Sequence, residues 1–224
     1  MTTATLNPAD VRMRDAVMLQ LEWDSQIDAT GIGVTAKNQA VTLTGFVGSY
    51  AEKLAAERVA KRVAGVHAVA NDIQVRLRFE RTDDEIAADA AHALVMRPLL
   101  RDTVQAVVRG GQLTLTGWVP TLFDKAVAEQ AVRHVPGLKG ILNHLEVHPA
   151  ASAVDVKKQI NRALHDEATT TGKGIIARVD GRTVTLIGHV RTLHEREAAE
   201  RAAMHAHGIV AVDNRITVGW SIDD

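Results

Sequence analysis

Histidine is the residue type in this chain with the widest chemical potential, because the chain contains ten histidines and no cysteine. His144, Glu146 and His148 alternate along a predicted strand and would face one way. Zinc sites more often use i, i+4 spacing on a helix together with a further ligand pair, and this segment has neither. Solvent-facing histidines account for the pattern more simply, so we predict no metal site.

No local motif for catalysis or cofactor binding stands out either. The segment nearest to a phosphate-binding loop is TTTGKG at 169–174, which lacks the G-x-x-x-x-G-K-[ST] spacing. It also follows a predicted helix, whereas a phosphate loop precedes one. We therefore predict a protein that is not an enzyme, with no catalytic residues and no cofactor.

The charge balance argues against a nucleic-acid partner. Lys and Arg total 26 and Asp and Glu total 27, and no segment is strongly basic. Gly137–Gly140 matches the G-x-x-G of KH nucleic-acid-binding domains, but it would join a helix to a strand instead of two helices. We predict no nucleic-acid binding.

The hydrophobic runs of the chain are too short to cross a membrane. None approaches the ~20 apolar residues that a spanning helix needs, so we predict no transmembrane segment and any membrane role must be peripheral. Met1–Asp10 has no basic stretch followed by an apolar run and a small-residue cleavage site. We therefore expect a cytoplasmic location.

The elements that position these residues follow from an internal repeat of about 71 to 72 residues. Its clearest marks are the segments VTLTGFV at 41–47, LTLTGWV at 113–119 and VTLIGHV at 184–190. Each copy carries one glycine in this segment and a second one twenty residues later. These structural glycines are Gly45, Gly65, Gly117, Gly137, Gly188 and Gly208. We divide the chain into repeats at 8–80, 81–149 and 152–220.

Each repeat is predicted to be α+β, with the order helix, strand, strand, helix, strand. The period of the strands and helices indicates a small three-stranded mixed sheet with two helices packed on one face. We expect the strand glycine to face the second helix, where a Cβ would clash, and the later glycine to end that helix as its C′ residue. The first helices are expected to begin near Asp10, Thr82 and Ser152, the last with Ile160 and Leu164 on its apolar face.

The second helix has the clearest start signal. Ser49, Thr121 and Thr192 are each followed three residues later by an acidic residue, the pattern of a capping box. An Asn then opens the last strand of each repeat, at Asn71, Asn143 and Asn214.

A group of large apolar residues near the end of the second strand is our candidate lipid or partner surface. It comprises Phe46, Tyr50, Trp118, Leu122 and Phe123. Aromatic side chains projecting there could enter a lipid interface, or they could pack one repeat against another or against a second copy. We favour packing, because three sheet faces in one chain must be covered or exposed. Repeat 3 has His189, Leu193 and His194 instead, which indicates a different role.

The V-T-L-T-G-x-V strand, the Ser/Thr-x-x-acid helix start, the Val/Ala-x-G-V/L/I helix end and the V-x-N-x-I/L-x-V strand closely resemble the BON domain. The resemblance covers nearly the whole chain as three copies. It implies a non-enzymatic α-β-β-α-β unit of bacterial osmotic-stress and transport-associated proteins, generally regarded as binding phospholipid at membrane surfaces. Many members carry export signals, and we expect none here because Met1–Asp10 does not show that pattern. Some relatives that sense potassium add a LysM domain, and the 224 residues contain no segment that resembles one.

Three functional hypotheses follow from these patterns. The first is a stress-associated protein that engages phospholipid membranes peripherally. The second is a protein-interaction or chaperone-like scaffold that self-associates into an oligomer, for which the sheet-face aromatics and the net charge of -1 argue. The third, implied by the resemblance alone, is sensing of a monovalent ion such as potassium.

Overall fold

The computed structural model describes residues 7–77, 80–148, 174–206 and 208–219. Repeat 1 contains, in order, α1 Pro8–Trp23, β1 Ile32–Lys37, β2 Ala40–Val47, α2 Tyr50–Arg62, β3 Ala68–Asn71 and β4 Gln74–Val75. Repeat 2 contains α3 Asp83–Val95, β5 Val104–Arg109, β6 Gln112–Val119, α4 Leu122–Val132, β7 Gly140–Asn143 and β8 Glu146–Val147. Repeat 3 contains β9 Ile176–Asp180, β10 Thr183–Val190, α5 Leu193–Met204 and β11 Ala211–Val218.

The predicted α+β order is confirmed. Repeats 1 and 2 follow helix, strand, strand, helix, strand, and the described part of repeat 3 follows the same order from its first strand onward. The helix predicted to begin near Ser152, with Ile160 and Leu164, lies outside the described residues, as does the glycine-containing segment 169–173.

Each sheet is mixed, as predicted. The first two strands form an antiparallel hairpin, and the last strand runs parallel to the second, so the second strand is central. In repeat 3 the parallel pairing is continuous from Thr183 opposite Ala211 to Val190 opposite Val218. In repeats 1 and 2 the last strand is interrupted after its asparagine and resumes as β4 or β8. A parallel pair needs a crossover connection, which the second helix supplies.

Alternation along the central strand places one set of side chains under the helices. Val41, Leu43 and Val47 of β2 are buried in this way, and Ala56 and Ala60 of α2 pack against them. The small alanines let the helix lie close to the sheet, so the core of each repeat is a thin layer between one sheet face and its helices. The other sheet face has no helix on it in the described residues.

The asparagine of each last strand connects that strand to the second helix. In repeat 2, Asn143 Nδ2 donates to the carbonyl oxygen of Lys125 at 2.9 Å and to the carboxylate of Glu129 at 3.3 Å. Its Oδ1 accepts from the backbone N–H of Leu145 at 3.3 Å. The same three bonds recur at Asn71 and Asn214. The residue that the repeat pattern singled out therefore fixes the helix on the sheet.

The glycine of the central strand is required for a different reason from the one predicted. A Cβ on Gly117 would lie 2.0 Å from the carbonyl oxygen of Thr103, just before β5, and Gly117 has φ +115. Gly45 is equally close to Gly31 O, and Gly188 would bring a Cβ to 2.8 Å from Gly174 O. The prediction of a clash with the second helix was wrong, because the close neighbour is the backbone that leads into the edge strand.

The second glycine of each repeat does not lie at the predicted position relative to the end of the second helix. The second helices end at Arg62, Val132 and Met204, and their cap residues are not glycine. Gly65, Gly137 and Gly208 lie further along, in the turn to the last strand, with φ of +84, +96 and +90. The left-handed conformation is confirmed, but the C′ assignment was wrong since a short non-helical stretch follows each helix.

Two glycines of repeat 2 allow the stability cost of a positive-φ backbone to be measured separately from the cost of a steric contact. Gly117→Ala places a methyl group against Thr103 O in a positive-φ backbone, so we expect the free energy of unfolding to fall by about 3 kcal/mol or more. Gly110 also has a positive φ, of +60, but has nothing within 4 Å of its Cβ position, so Gly110→Ala should cost about 1 kcal/mol. Urea denaturation of both variants measures the difference, and equal losses would contradict the close-approach explanation.

Candidate interaction surfaces

The five residues of the predicted surface do not form one surface. Phe46 and Trp118 lie on the outer, helix-free sheet faces of repeats 1 and 2 and are 38% and 44% exposed. Tyr50 and Leu122 open α2 and α4 and pack against neighbouring repeats. Phe123 also lies at a contact between repeats.

The first residue of each second helix packs against another repeat. Tyr50 of repeat 1 contacts the core of repeat 2, and Leu122 of repeat 2 contacts the core of repeat 3. Leu193 of repeat 3 is 9% exposed and belongs to the core of repeat 1. We call these three residues the junction residues and the contacts the 1–2, 2–3 and 3–1 junctions. The order is cyclic, so the repeats close on one another head to tail.

The N-caps fix where the second helices begin, and the junction residue is the first residue after each N-cap. The Ser49, Thr121 and Thr192 hydroxyls each accept from the backbone N–H three residues later, at 3.2, 3.0 and 3.1 Å. Of the three, Thr192 completes the capping box, since Glu195 returns a carboxylate to its N–H. In repeat 1 the Glu52 carboxylate accepts instead from Gly48 N and Asp28 N.

Electrostatics at the junctions reflect partial burial. Burial, and then the Glu129 carboxylate, raise the pKa of Tyr50. At the 3–1 junction, burial and then the Arg62 guanidinium lower the pKa of His194. The same junction carries an ion pair between Lys61 Nζ and Glu197 Oε1 at 2.7 Å. The first and third repeats are thus held by apolar contacts of Leu193 and Val218 and by an ion pair.

On the outer sheet faces, each equivalent side chain has a polar or cationic neighbour. The Arg76 guanidinium lies 3.1 Å from the ring centroid of Phe46, a cation–π contact. Trp118 stacks on His148 with centroids 5.9 Å apart. His189 is hydrogen-bonded to Thr217 Oγ1 at 3.0 Å and to Gly219 O at 2.8 Å. The outer faces therefore present aromatic groups that are already partly covered by their own chain.

A group of exposed apolar side chains that was not predicted from the sequence lies in repeat 2. At the end of α3, Val95, Met96 and Leu99 are 49%, 67% and 65% exposed. Arg97 and Arg101 lie in the same segment and are exposed. A signal was present in the sequence: the buried stripe of α3 is Ile86, Ala90 and Leu94, at i, i+4 spacing, and Val95 and Met96 fall outside it. The α1 residue equivalent to Val95 is Trp23, which is 81% exposed.

Neither a metal-ligand cluster nor a membrane-spanning helix occurs in the described part of the chain. In the described ranges, no three His, Asp or Glu side chains come together as metal ligands would. His148 Nε2 and Glu146 Oε2, which the sequence placed on one face, are 3.2 Å apart on the outer sheet face. None of the helices in the described part of the chain is long and apolar enough to cross a membrane.

The repeat architecture agrees with the comparisons with known proteins. The BON domain model matches residues 9–76, 82–149 and 152–219, so the chain belongs to the BON domain family. The predicted resemblance is confirmed.

A curated relative is the Osmotically-inducible protein Y of Escherichia coli (strain K12), 32% identical over 127 residues. The match covers 54% of this chain and 63% of the relative, so it spans less than two thirds of that protein.

Solved structures give weaker similarities. The C-terminal domain of CdsD, a structural protein of the Type III secretion system of Chlamydia trachomatis, is 14% identical with a TM-score of 0.26, covering 95% of this chain and 99% of that one. The periplasmic domain of PrgH from S. typhimurium is 14% identical with a TM-score of 0.21, covering 91% and 100%. Scores this low carry no structural argument.

The cyclic order of the junctions predicts that a repeat 3 residue stabilises repeat 1. Leu193→Ala should lower the free energy of unfolding by about 2–4 kcal/mol, because it removes a buried side chain from the core around Leu43. Native-state hydrogen exchange should show lost protection in β2 as well as in repeat 3. Leu99→Ala is the control, since Leu99 is 65% exposed and its loss should cost below about 0.5 kcal/mol. Lost protection confined to repeat 3 would rule out the 3–1 junction.

Proposed function

We propose that this protein is a non-enzymatic, stress-associated protein that binds anionic phospholipid surfaces peripherally through the end of α3. The observation that carries the proposal is the exposure of Val95, Met96 and Leu99 beside Arg97 and Arg101. The segment combines two signals that peripheral membrane binding requires, apolar side chains able to enter the interface and cations able to meet acidic headgroups.

Apolar side chains and cations together give a larger free energy of membrane binding than either kind of residue gives alone. Burying an exposed Met or Leu side chain is worth roughly 1.5–3 kcal/mol, and each Lys or Arg at an anionic surface adds about 1 kcal/mol. A pair of apolar residues with two arginines thus reaches the range of reversible binding, although Arg101 Nε also lies 3.6 Å from the Asp102 carboxylate. Neutral vesicles remove the charge contribution and should bind far more weakly.

The backbone of the segment is suited to partial insertion. The N–H groups of Met96 and Arg97 donate to His92 O at 3.2 Å and Leu94 O at 2.9 Å, and that of Leu100 donates to Arg97 O at 2.9 Å. These donors need no water, which reduces the cost of entering a less polar region. Leu100 is 1% exposed and anchors the segment to the core, so its neighbours project without unfolding.

Repeat 1 offers a poorer surface for anionic lipid at the equivalent place. Trp23 is highly exposed, but its sequence neighbours are Glu22 and Asp24, which an acidic membrane would repel. We therefore assign the membrane contact to repeat 2. Membership of the BON family and the name of the Osmotically-inducible protein Y support the link to osmotic stress.

The second candidate is interaction with another protein or another copy through the outer sheet of repeat 2. Val107 and Leu142 lie opposite Thr114 in the same row of the sheet, on the face that carries Trp118. The three apolar residues are 44–47% exposed and lie together on one face, as in a protein-interaction surface. Light scattering of the wild type and of Trp118→Ala separates this function from lipid binding.

Liposome co-sedimentation tests the lipid proposal. The wild type should be retained on vesicles rich in phosphatidylglycerol, weakly on phosphatidylcholine, and less at high salt. The double variant Met96→Glu and Leu99→Glu should lose at least about tenfold in partitioning, which corresponds to about 1.4 kcal/mol. Ile176→Glu is the matched control, because Ile176 is 59% exposed on the outer sheet of repeat 3. No retention on acidic vesicles, or an equal loss for the control, would refute the proposal.

A further inference from the structure

The three junctions differ at the residue that follows the junction residue, here called the filling position. It is Ala51 in repeat 1, Phe123 in repeat 2 and His194 in repeat 3. At the 2–3 junction, the Phe123 ring lies against the His205 ring with centroids 3.9 Å apart and an interplanar angle of 32°. At the 3–1 junction, His194 is half-buried beside Arg62, which is equivalent to His205 in the repeat. At both places a ring occupies part of the space between the two repeats, and at the 2–3 junction a smaller cavity of about 380 Å³ remains beside Phe123 and His205.

At the 1–2 junction the filling position carries a single methyl group, and a cavity of about 660 Å³ lies there. The residue of repeat 2 that is equivalent to His205 is His134, which lines this cavity together with Ala51. The volume is in the range of small-molecule sites. Its other polar walls come from both repeats and include Gln26, Asp28, Arg58 and Arg133.

The cavity walls carry hydrogen-bond donors that their hydrogen bonds within the protein do not use up. Arg58 donates to Gln26 Oε1 at 3.3 Å, and Arg133 Nε donates to His134 Nε2 at 3.0 Å. Among the described residues, neither arginine has a carboxylate within salt-bridge distance, so most of the five N–H donors of each guanidinium remain.

The two carboxylates of the cavity are already engaged. Glu52 accepts from the backbone N–H groups of Asp28 at 2.8 Å and Gly48 at 2.9 Å. Asp28 accepts from the N–H of Thr30 at 3.2 Å and from its hydroxyl. A ligand entering the cavity therefore meets guanidinium donors and an imidazole ring, which favours an acceptor-rich, negatively charged group.

We propose that the 1–2 junction binds a small anion with a planar ring, of the nucleoside monophosphate class. The ring stacks on His134 and takes the place that the Phe123 ring has at the equivalent position of the 2–3 junction. The phosphate is bound by Arg58 and Arg133. Guanidinium groups bind phosphate through paired N–H donors, and an imidazole provides a stacking face. The site is separate from the end of α3, so it does not depend on lipid binding.

The repeat itself supplies the decisive variant. Ala51→Phe gives repeat 1 the side chain that repeat 2 carries at the same position, so a phenyl ring should take the place of the ligand's ring while the protein stays folded, with an unchanged or higher thermal midpoint. Isothermal titration of the full chain with AMP, GMP, CMP and UMP should show saturable one-to-one binding for at least one of them. Ala51→Phe should abolish that binding, and Arg133→Gln should weaken it at least about tenfold.

Control variants and a control ligand complete the titration experiment. Arg109→Gln, on the exposed β5–β6 hairpin, should leave the affinity unchanged, as should the double variant Met96→Glu and Leu99→Glu. Inorganic phosphate should bind more weakly than the nucleotide, since it lacks the ring. Binding of none of the four nucleotides, equal affinity in Ala51→Phe, or equal affinity for inorganic phosphate would each overturn the proposal. Should Ala51→Phe fail to fold, Arg133→Gln decides, because Arg133 is a partly exposed side chain at the C-cap of α4.

Discussion

The insertion of the first residue of each second helix into the next repeat is the contact on which the rest of the structure depends. A unit of about 70 residues with helices on only one sheet face buries a small core and is marginal alone. Tyr50, Leu122 and Leu193 extend three such cores into one another. Because the third contact returns to the first repeat, every repeat both gives and receives one side chain.

The repeats share the residues that build this arrangement and differ in the residues that lie around it. The strand glycine, the helix N-cap and the asparagine bonds recur in all three repeats with the same partners. The filling position is Ala51 in repeat 1, Phe123 in repeat 2 and His194 in repeat 3. The residues around the end of the first helix are acidic in repeat 1 and basic in repeat 2. The proposed lipid and nucleotide sites both rest on these differences, which explains why each occurs at one place among the three repeats.

Features that depend on local sequence could be predicted, and features that depend on chain packing could not. The element order, the N-caps and the left-handed glycines follow from period and turn chemistry, so they were found. The partner of Gly117 was missed because it lies in the backbone that leads into the edge strand, not on the helix. Phe46 and Tyr50 stand four residues apart, yet a strand end and a helix start send them to different surfaces. The space beside Ala51 becomes visible only when the junctions are compared.

The ion pair between Lys61 and Glu197 allows the closed arrangement to be tested in the unmodified chain. Lys61 Nζ lies 2.6 Å from Glu57 Oε1 within its own helix and 2.7 Å from Glu197 Oε1 of repeat 3. Carbodiimide coupling of a mixture of unlabelled and ¹⁵N-labelled protein, read by peptide mass spectrometry, measures both cross-links from one amine. The account predicts an intramolecular Lys61–Glu197 cross-link alongside the Lys61–Glu57 one. Recovery of Lys61–Glu57 alone, or of Lys61–Glu197 peptides that join a labelled to an unlabelled chain in the proportion expected for random pairing, would contradict it.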